Sequence, residues 1–111
     1  MKHHLFSYGT LQFKRVQIET YGRLLKGKKT ILKGYKLGLI EIKNTSVIQK
    51  SGKKFHPIAI KSNNPNDKIE GILFEITEKE LLKTDIYEVD DYKRVSEDFD
   101  PGIKAWIYVK K

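Results

Sequence analysis

The chain has 111 residues, 22 of them Lys or Arg against 14 Asp or Glu, for a formal charge of +8, and it has no cysteine. This length suffices for one core without metal or disulfide staples, so a single domain over residues 1–111 is expected. The cysteine count excludes disulfides, thiolate nucleophiles and cysteine-ligated zinc and fits a cytoplasmic location, while no run approaches the ~20 apolar residues of a membrane helix or forms a signal peptide.

The positive excess is nearly all lysine, since only Arg15, Arg23 and Arg94 are arginine. Specific nucleic-acid readout favours the bidentate guanidinium. Lys26, Lys28, Lys29, Lys33 and Lys36, then Lys50, Lys53 and Lys54, are spread through turns and strand edges, where lysine blunts edge pairing and aids solubility. Neither a specific nucleic acid nor a membrane is expected as a partner, and the sequence leaves the oligomeric state open.

In chain order, His4-Leu5-Phe6-Ser7-Tyr8 reads as a short strand stopped by Gly9, a residue that permits positive φ or close approach to another group. Lys14 to Tyr21 reads as a short helix or irregular segment closing at Gly22. Thr30 to Ile42, partly alternating and punctuated by Gly34 and Gly38, reads as one bent strand or a pair. Gly52 then marks a hairpin turn before the strand Phe55 to Ile60, which Pro57 confines to an edge or a strand start. Ser62 to Asp67 is a turn, and Ile69 to Ile76 a strand.

Thr77-Glu78-Lys79-Glu80 is a capping box that opens a helix running to Asp85 or slightly beyond, with Ile76 and Leu81 placed as a hydrophobic staple. Strands Tyr92 to Ser96 and Ile103 to Val109 flank a turn at Asp100-Pro101-Gly102. Many short strands with few short helices predict an α+β domain whose small mixed sheet is barrel-like.

Leu81, Asp85 and Glu88 are spaced four and three apart, so a helix that persists places both carboxylates on its inward stripe. A desolvated carboxylate has a raised pKa and exchanges protons near neutrality. A helix ending at Asp85 would instead leave Glu88, Asp90 and Asp91 on an acidic loop. His3 and His4 are adjacent and His56 is distant, which gives no metal spacing, and no glycine-rich phosphate loop is present.

Tyr8-Gly9-Thr10-Leu11, then Glu70-Gly71-Ile72-Leu73-Phe74-Glu75-Ile76, then Leu82, Asp85, Tyr87, Glu88, Tyr92 and Arg94, then Ala105-Trp106-Ile107-Tyr108-Val109 stand in an order and spacing that resemble the gamma-glutamylcyclotransferase-like family, which includes the gamma-glutamylamine cyclotransferases. Gly22-Arg23, Gly34-Tyr35 and His56-Pro57-Ile58 match weaker landmarks. The resemblance implies a gamma-glutamylcyclotransferase-like fold and a cofactor-independent transferase that releases 5-oxoproline from a small gamma-glutamyl substrate. It implies Glu88 as catalytic acid/base and Tyr8, Gly9, Thr10 and Leu11 as a loop whose N–H groups cradle the substrate oxygens.

In the implied chemistry, Glu88 takes a proton from the α-ammonium, the freed amine attacks the δ-carbonyl, and the loop holds the oxyanion. Tyr108 is either a pocket residue or a buried core tyrosine with a backbone partner, and core packing is the simpler account of Tyr87 and Tyr92. Arg94 either pairs with Asp85 or anchors a substrate carboxylate, the ion pair being the simpler role. Two departures from the family pattern bear on substrate choice more than fold: Val89-Asp90-Asp91 where glycine often follows the glutamate, and Gln12-Phe13-Lys14-Arg15 without the glycine many members place there. A non-catalytic domain holding a small carboxylate in the same pocket is the competing expectation.

Overall fold

The computed structural model describes residues 2–88, 92–99 and 102–111. In chain order they form β1 (Lys2–Ser7), a 3₁₀ turn (Thr10–Gln12), α1 (Lys14–Tyr21), β2 (Gly27–Lys33), β3 (Tyr35–Glu41), α2 (Thr45–Ser51), β4 (Phe55–Lys61), β5 (Lys68–Thr77), α3 (Glu78–Tyr87), β6 (Tyr92–Phe99) and β7 (Ile103–Lys110). This is the mixed α+β arrangement expected, built on one sheet of order β2-β5-β1-β7-β4-β3 with β6 paired to β7.

The sheet curls into a half-barrel because its two outermost strands are joined by a single residue. β2 pairs with β5 and β3 pairs with β4, yet in the chain only Gly34 separates β2 from β3. Its φ of 81° lies in the left-handed region, which glycine enters without a Cβ penalty. Gly34 N–H donates to the Asp67 carbonyl at 2.8 Å, and its carbonyl accepts from Ser62 N–H at 3.0 Å, tying the reversal to the turn between β4 and β5. The segment 30–42 is therefore the pair of strands, not the single bent one.

Both faces of the sheet are buried. On one, Leu5, Ile58, Phe74, Ile76 and Tyr108 pack with Val16 and Tyr21 of α1, Val47 of α2 and Leu81 and Tyr87 of α3. The other cluster, including Phe6, Leu32, Tyr35, Ala59, Ile69 and Ile107, comes from strands alone, so the curl itself covers that face. Phe6 stacks on Phe99 there, with ring centroids 5.1 Å apart.

β6 pairs with β7 through all eight residues. A strand has two hydrogen-bonding edges, so β1 and β4, both parallel to β7, meet its other edge, β1 at Trp106 and β4 at Val109. The sheet divides where one hands over to the other. This division corrects the expectation for Pro57, which sits inside β4 and so neither at a strand start nor on an edge strand. Its missing N–H costs nothing because the pairing with β7 lies at Ala59, beyond it.

Gly52 is likewise not a hairpin turn. It is the left-handed C-cap of α2, φ 72°, and Asn44 is the N-cap, its side-chain oxygen accepting from Ser46 and Val47 N–H at 3.0 and 3.3 Å. Helix α1 closes at Gly22 as expected. The turn at Asp100-Pro101 lies outside the described residues, although Gly102 N–H donates to the Phe99 carbonyl at 2.8 Å.

The capping box of α3 is complete. Thr77 Oγ1 accepts from Glu80 N–H at 3.2 Å and Glu80 Oε1 accepts from Thr77 N–H at 2.9 Å. Arg23 grips the same carboxylate at 2.7 and 2.8 Å, which pulls the Glu80 carboxyl below its ordinary pKa. Thr77→Ala is expected to lower stability by about 1 kcal/mol, read as a lower urea midpoint with an unchanged slope. An unchanged midpoint would show that Arg23 alone holds Glu80 in place.

Candidate active site

The loop 8–11 leaves the sheet at its division, and a pocket forms there. Phe6, Ser7, Tyr8, Gly9, Thr10, Leu11, His56, Pro57, Glu88, Tyr92 and Tyr108 line it. The four loop residues, Glu88, Tyr92 and Tyr108, 100 positions apart in sequence at the extremes, are thus brought together. The cavity encloses about 20 Å³, close to the space one water needs, and is partly open to solvent.

Tyr8 holds the division closed. Its hydroxyl donates to the Tyr108 carbonyl and accepts Ala59 N–H at 2.9 Å, joining β7 to β4 through a side chain of β1's outgoing end. Gly9 has φ −136°, so positive φ is not its purpose here. Close approach is: a Cβ on Gly9 would lie 3.1 Å from Pro57 Cγ. The loop then tightens into the 3₁₀ turn, with Gln12 N–H on the Gly9 carbonyl and Phe13 N–H on the Thr10 carbonyl at 3.1 and 3.0 Å. The first N–H groups of such a turn have no acceptor within it. Buried Gln17 fixes the loop from below, donating to the Leu11 carbonyl at 2.9 Å.

Helix α3 persists beyond Asp85 and stops before Glu88. Glu88 N–H still reaches the Thr84 carbonyl at 2.9 Å, but its own backbone is extended, with φ −72° and ψ 135°. The residue is half-buried, and no described residue donates a hydrogen bond to its carboxyl, which burial pushes up to about 8. Val89, Asp90 and Asp91 lie outside the described residues. The Glu88 charge opposes ionisation of Tyr8, Tyr21, Tyr87 and Tyr108, which marks these four phenols as its surroundings. All four are raised chiefly by burial, Tyr87 to about 12.

The remaining expected residues frame this set. Tyr87 shares a hydrogen bond with Thr10 at 2.7 Å, fastening the loop to α3. Tyr92 donates to the Pro57 carbonyl at 2.7 Å. Tyr108 donates to Asp85 at 2.6 Å, and Arg94 Nε lies 3.4 Å from the same Asp85 oxygen, so Arg94 and Asp85 form the ion pair. Arg94 also stacks its guanidinium 4.6 Å from the Trp106 ring centroid. Asp85 and Arg94 stand behind the pocket and do not line it.

Two participants carried no sequence signal strong enough to find them. His56 lines the pocket and shares a 3.1 Å hydrogen bond with Ser51, burial holding its pKa below the ordinary value. Tyr21 comes from α1; because Thr84 gives its proton to the Glu80 carbonyl at 2.8 Å, Tyr21 must be the donor in their 2.6 Å contact. Among the described residues no group of three or more His, Asp or Glu side chains is placed to hold a metal ion, and no helix is long and apolar enough to cross a membrane.

Comparison with known proteins adds to this geometry. The chain superposes on a structure described as gamma-glutamyl cyclotransferase with a TM-score of 0.73 at 14% identity, covering 100% of this chain and 68% of that one. A solution structure from Arabidopsis thaliana gives 0.70 at 22% identity, covering 99% and 62%. An uncharacterised protein from Pyrococcus horikoshii gives 0.62 at 19%, covering 97% and 77%. At these identities the likeness is one of fold. The chain spans about two thirds of the length of the first two, and no curated protein sequence matches it. The profile described as gamma-glutamyl cyclotransferase, AIG2-like, matches residues 5–111, and the chain therefore belongs to that family.

Proposed function

We propose that this protein is a gamma-glutamyl cyclotransferase in which Glu88 is the general acid/base and the loop 8–11 holds the reacting carbonyl. The observation that carries the reading is the Glu88 carboxyl, held near pKa 8 by burial and set in one small pocket with the first-turn N–H groups. A carboxyl titrating there can both take and return a proton at physiological pH.

A gamma-glutamyl compound carries its own nucleophile. The α-amine attacks the δ-carbonyl and forms the ring C–N bond, while Glu88 carboxylate takes one proton from the attacking nitrogen. Backbone N–H groups of the loop stabilise the oxyanion, a contribution of about 3 kcal/mol for one donor. The acyl C–N bond then breaks, and Glu88 returns its proton to the departing nitrogen. The products are 5-oxoproline and a free amine or amino acid, and the intramolecular attack gains from proximity. The glutamyl end and its ring closure are common to all gamma-glutamyl compounds. The leaving group is therefore what distinguishes one substrate from another.

The test is 5-oxoproline release from a panel of gamma-glutamyl dipeptides and amines. Wild-type protein is expected to release it, with kcat/KM rising about tenfold per pH unit and levelling near pH 8. Glu88→Gln is expected to lose at least about 100-fold. Binding of a small carboxylate with no release from any member of the panel would favour the non-catalytic reading.

The same variant reports on stability with the opposite sign. The folded Glu88 carboxyl titrates near 8 instead of its usual 4.5, so between those values the folded state binds more protons than the unfolded state. Wild-type stability therefore declines as pH rises across that window. Glu88→Gln lacks the decline, and its Tm is expected to match wild type near pH 4 and exceed it increasingly up to about pH 8, where the difference levels off. A constant Tm difference over that range would contradict the burial of the carboxyl.

A further inference from the structure

The phenolic protons of the three tyrosines that line the pocket are already committed to the protein. Tyr8 gives its proton to the Tyr108 carbonyl, Tyr92 to the Pro57 carbonyl, and Tyr108 to Asp85. A phenol has one proton, so once Tyr108 has given it away its oxygen can only accept. Asp85 enforces that direction. An ionised carboxylate has no proton to give, and Arg94, 3.4 Å away and itself seated on Trp106, holds positive charge beside it. Trp106 is in turn fixed through its Nε1–H to His3 Nδ1 at 3.2 Å, and His3 Nε2 lies 2.6 Å from Glu78. The direction of the Tyr108 hydroxyl thus rests on a chain of contacts running out to the start of α3.

We infer that Asp85 is a positioning residue, which turns the Tyr108 oxygen into a fixed hydrogen-bond acceptor for the α-nitrogen of a gamma-glutamyl substrate. The inference rests on the proposed function and assigns the two ends of the glutamyl group to different walls. Backbone donors of the loop face the carbonyl. Oxygen acceptors, Tyr108 and Glu88, face the amine that must give up a proton as it attacks. With Tyr108 holding the nitrogen, Glu88 is free to take the proton.

The discriminating experiment measures binding, not turnover. In a Glu88→Gln background, calorimetry compares gamma-glutamyl methylamide with glutaryl methylamide, which lacks the α-nitrogen. Asp85→Asn is expected to weaken the first about tenfold and to leave the second within about twofold. Tyr108→Phe is expected to do the same, and the double variant to be no weaker than Tyr108→Phe alone, because Asp85 acts through the hydroxyl. Equal losses for the two ligands, or a further loss in the double variant, would overturn the positioning role while 5-oxoproline release by the parent enzyme still stood. Failure of the parent to bind either ligand, together with no release, would remove the functional reading and this inference with it.

Discussion

One phenolic hydroxyl spans the place where the sheet divides, and the site depends on it. Where β7 exchanges β1 for β4 along one edge, the Tyr108 carbonyl and the Ala59 N–H fall between two ladders. Leaving such buried groups unpaired costs about 1–3 kcal/mol each. Tyr8 Oη is both donor and acceptor and satisfies the two at once. It can do so only if β1 ends at Ser7 and the chain turns sharply after Tyr8, which is why the loop begins there and why Gly9 must pass close over Pro57. Strand exchange, loop and pocket are consequences of one geometric constraint.

The tyrosines near Glu88 show how such a pocket is walled without losing its polar groups. Tyr8, Tyr21, Tyr87 and Tyr108 point their hydroxyls at a carbonyl, a threonine, a threonine and an aspartate respectively. Each ring excludes water while its hydroxyl is satisfied. The carboxyl is the exception, half-buried with no donor from the described residues. That burden on stability is what raises its pKa, and the proposed acid/base role is a reason to tolerate it.

Much of this was legible in the sequence because the signals were local. The capping box at Thr77, the left-handed closure at Gly22 and the break at Gly34 each follow from a residue whose own backbone or side chain sets the structure. The ordered motifs from Tyr8 to Val109 led to the family that the profile match then showed. What escaped depended on distant partners. Gly52 is a turn residue in either a hairpin or a helix cap, and only Asn44, eight residues earlier, makes it a cap. Pro57 looks like an edge residue until the handover on β7 leaves its N–H without an acceptor to miss. His56 and Tyr21 come from β4 and α1 respectively, and no spacing along the chain announces that convergence.

Glu80 and Glu88, near the two ends of α3, are set in opposite environments. Glu80 and Glu88 are the same side chain at opposite ends of one ten-residue helix, and their acidities move in opposite directions. Glu80 sits in the first turn, where free N–H groups and the positive end of the helix dipole favour an anion, and it has a capping N–H and a forked Arg23 besides. Its charge is stabilised, and it anchors the helix. Glu88 sits past the last turn, where burial resists its charge and the negative end of the dipole gives an anion no support. The helix has no basic residue in its last turn to offset either effect. Ending α3 at Tyr87 thus does more than turn the chain: it sets a carboxyl where burial resists its charge and the dipole gives it no support. A basic residue at that end would steady the helix and lower the raised pKa on which the proposed chemistry depends.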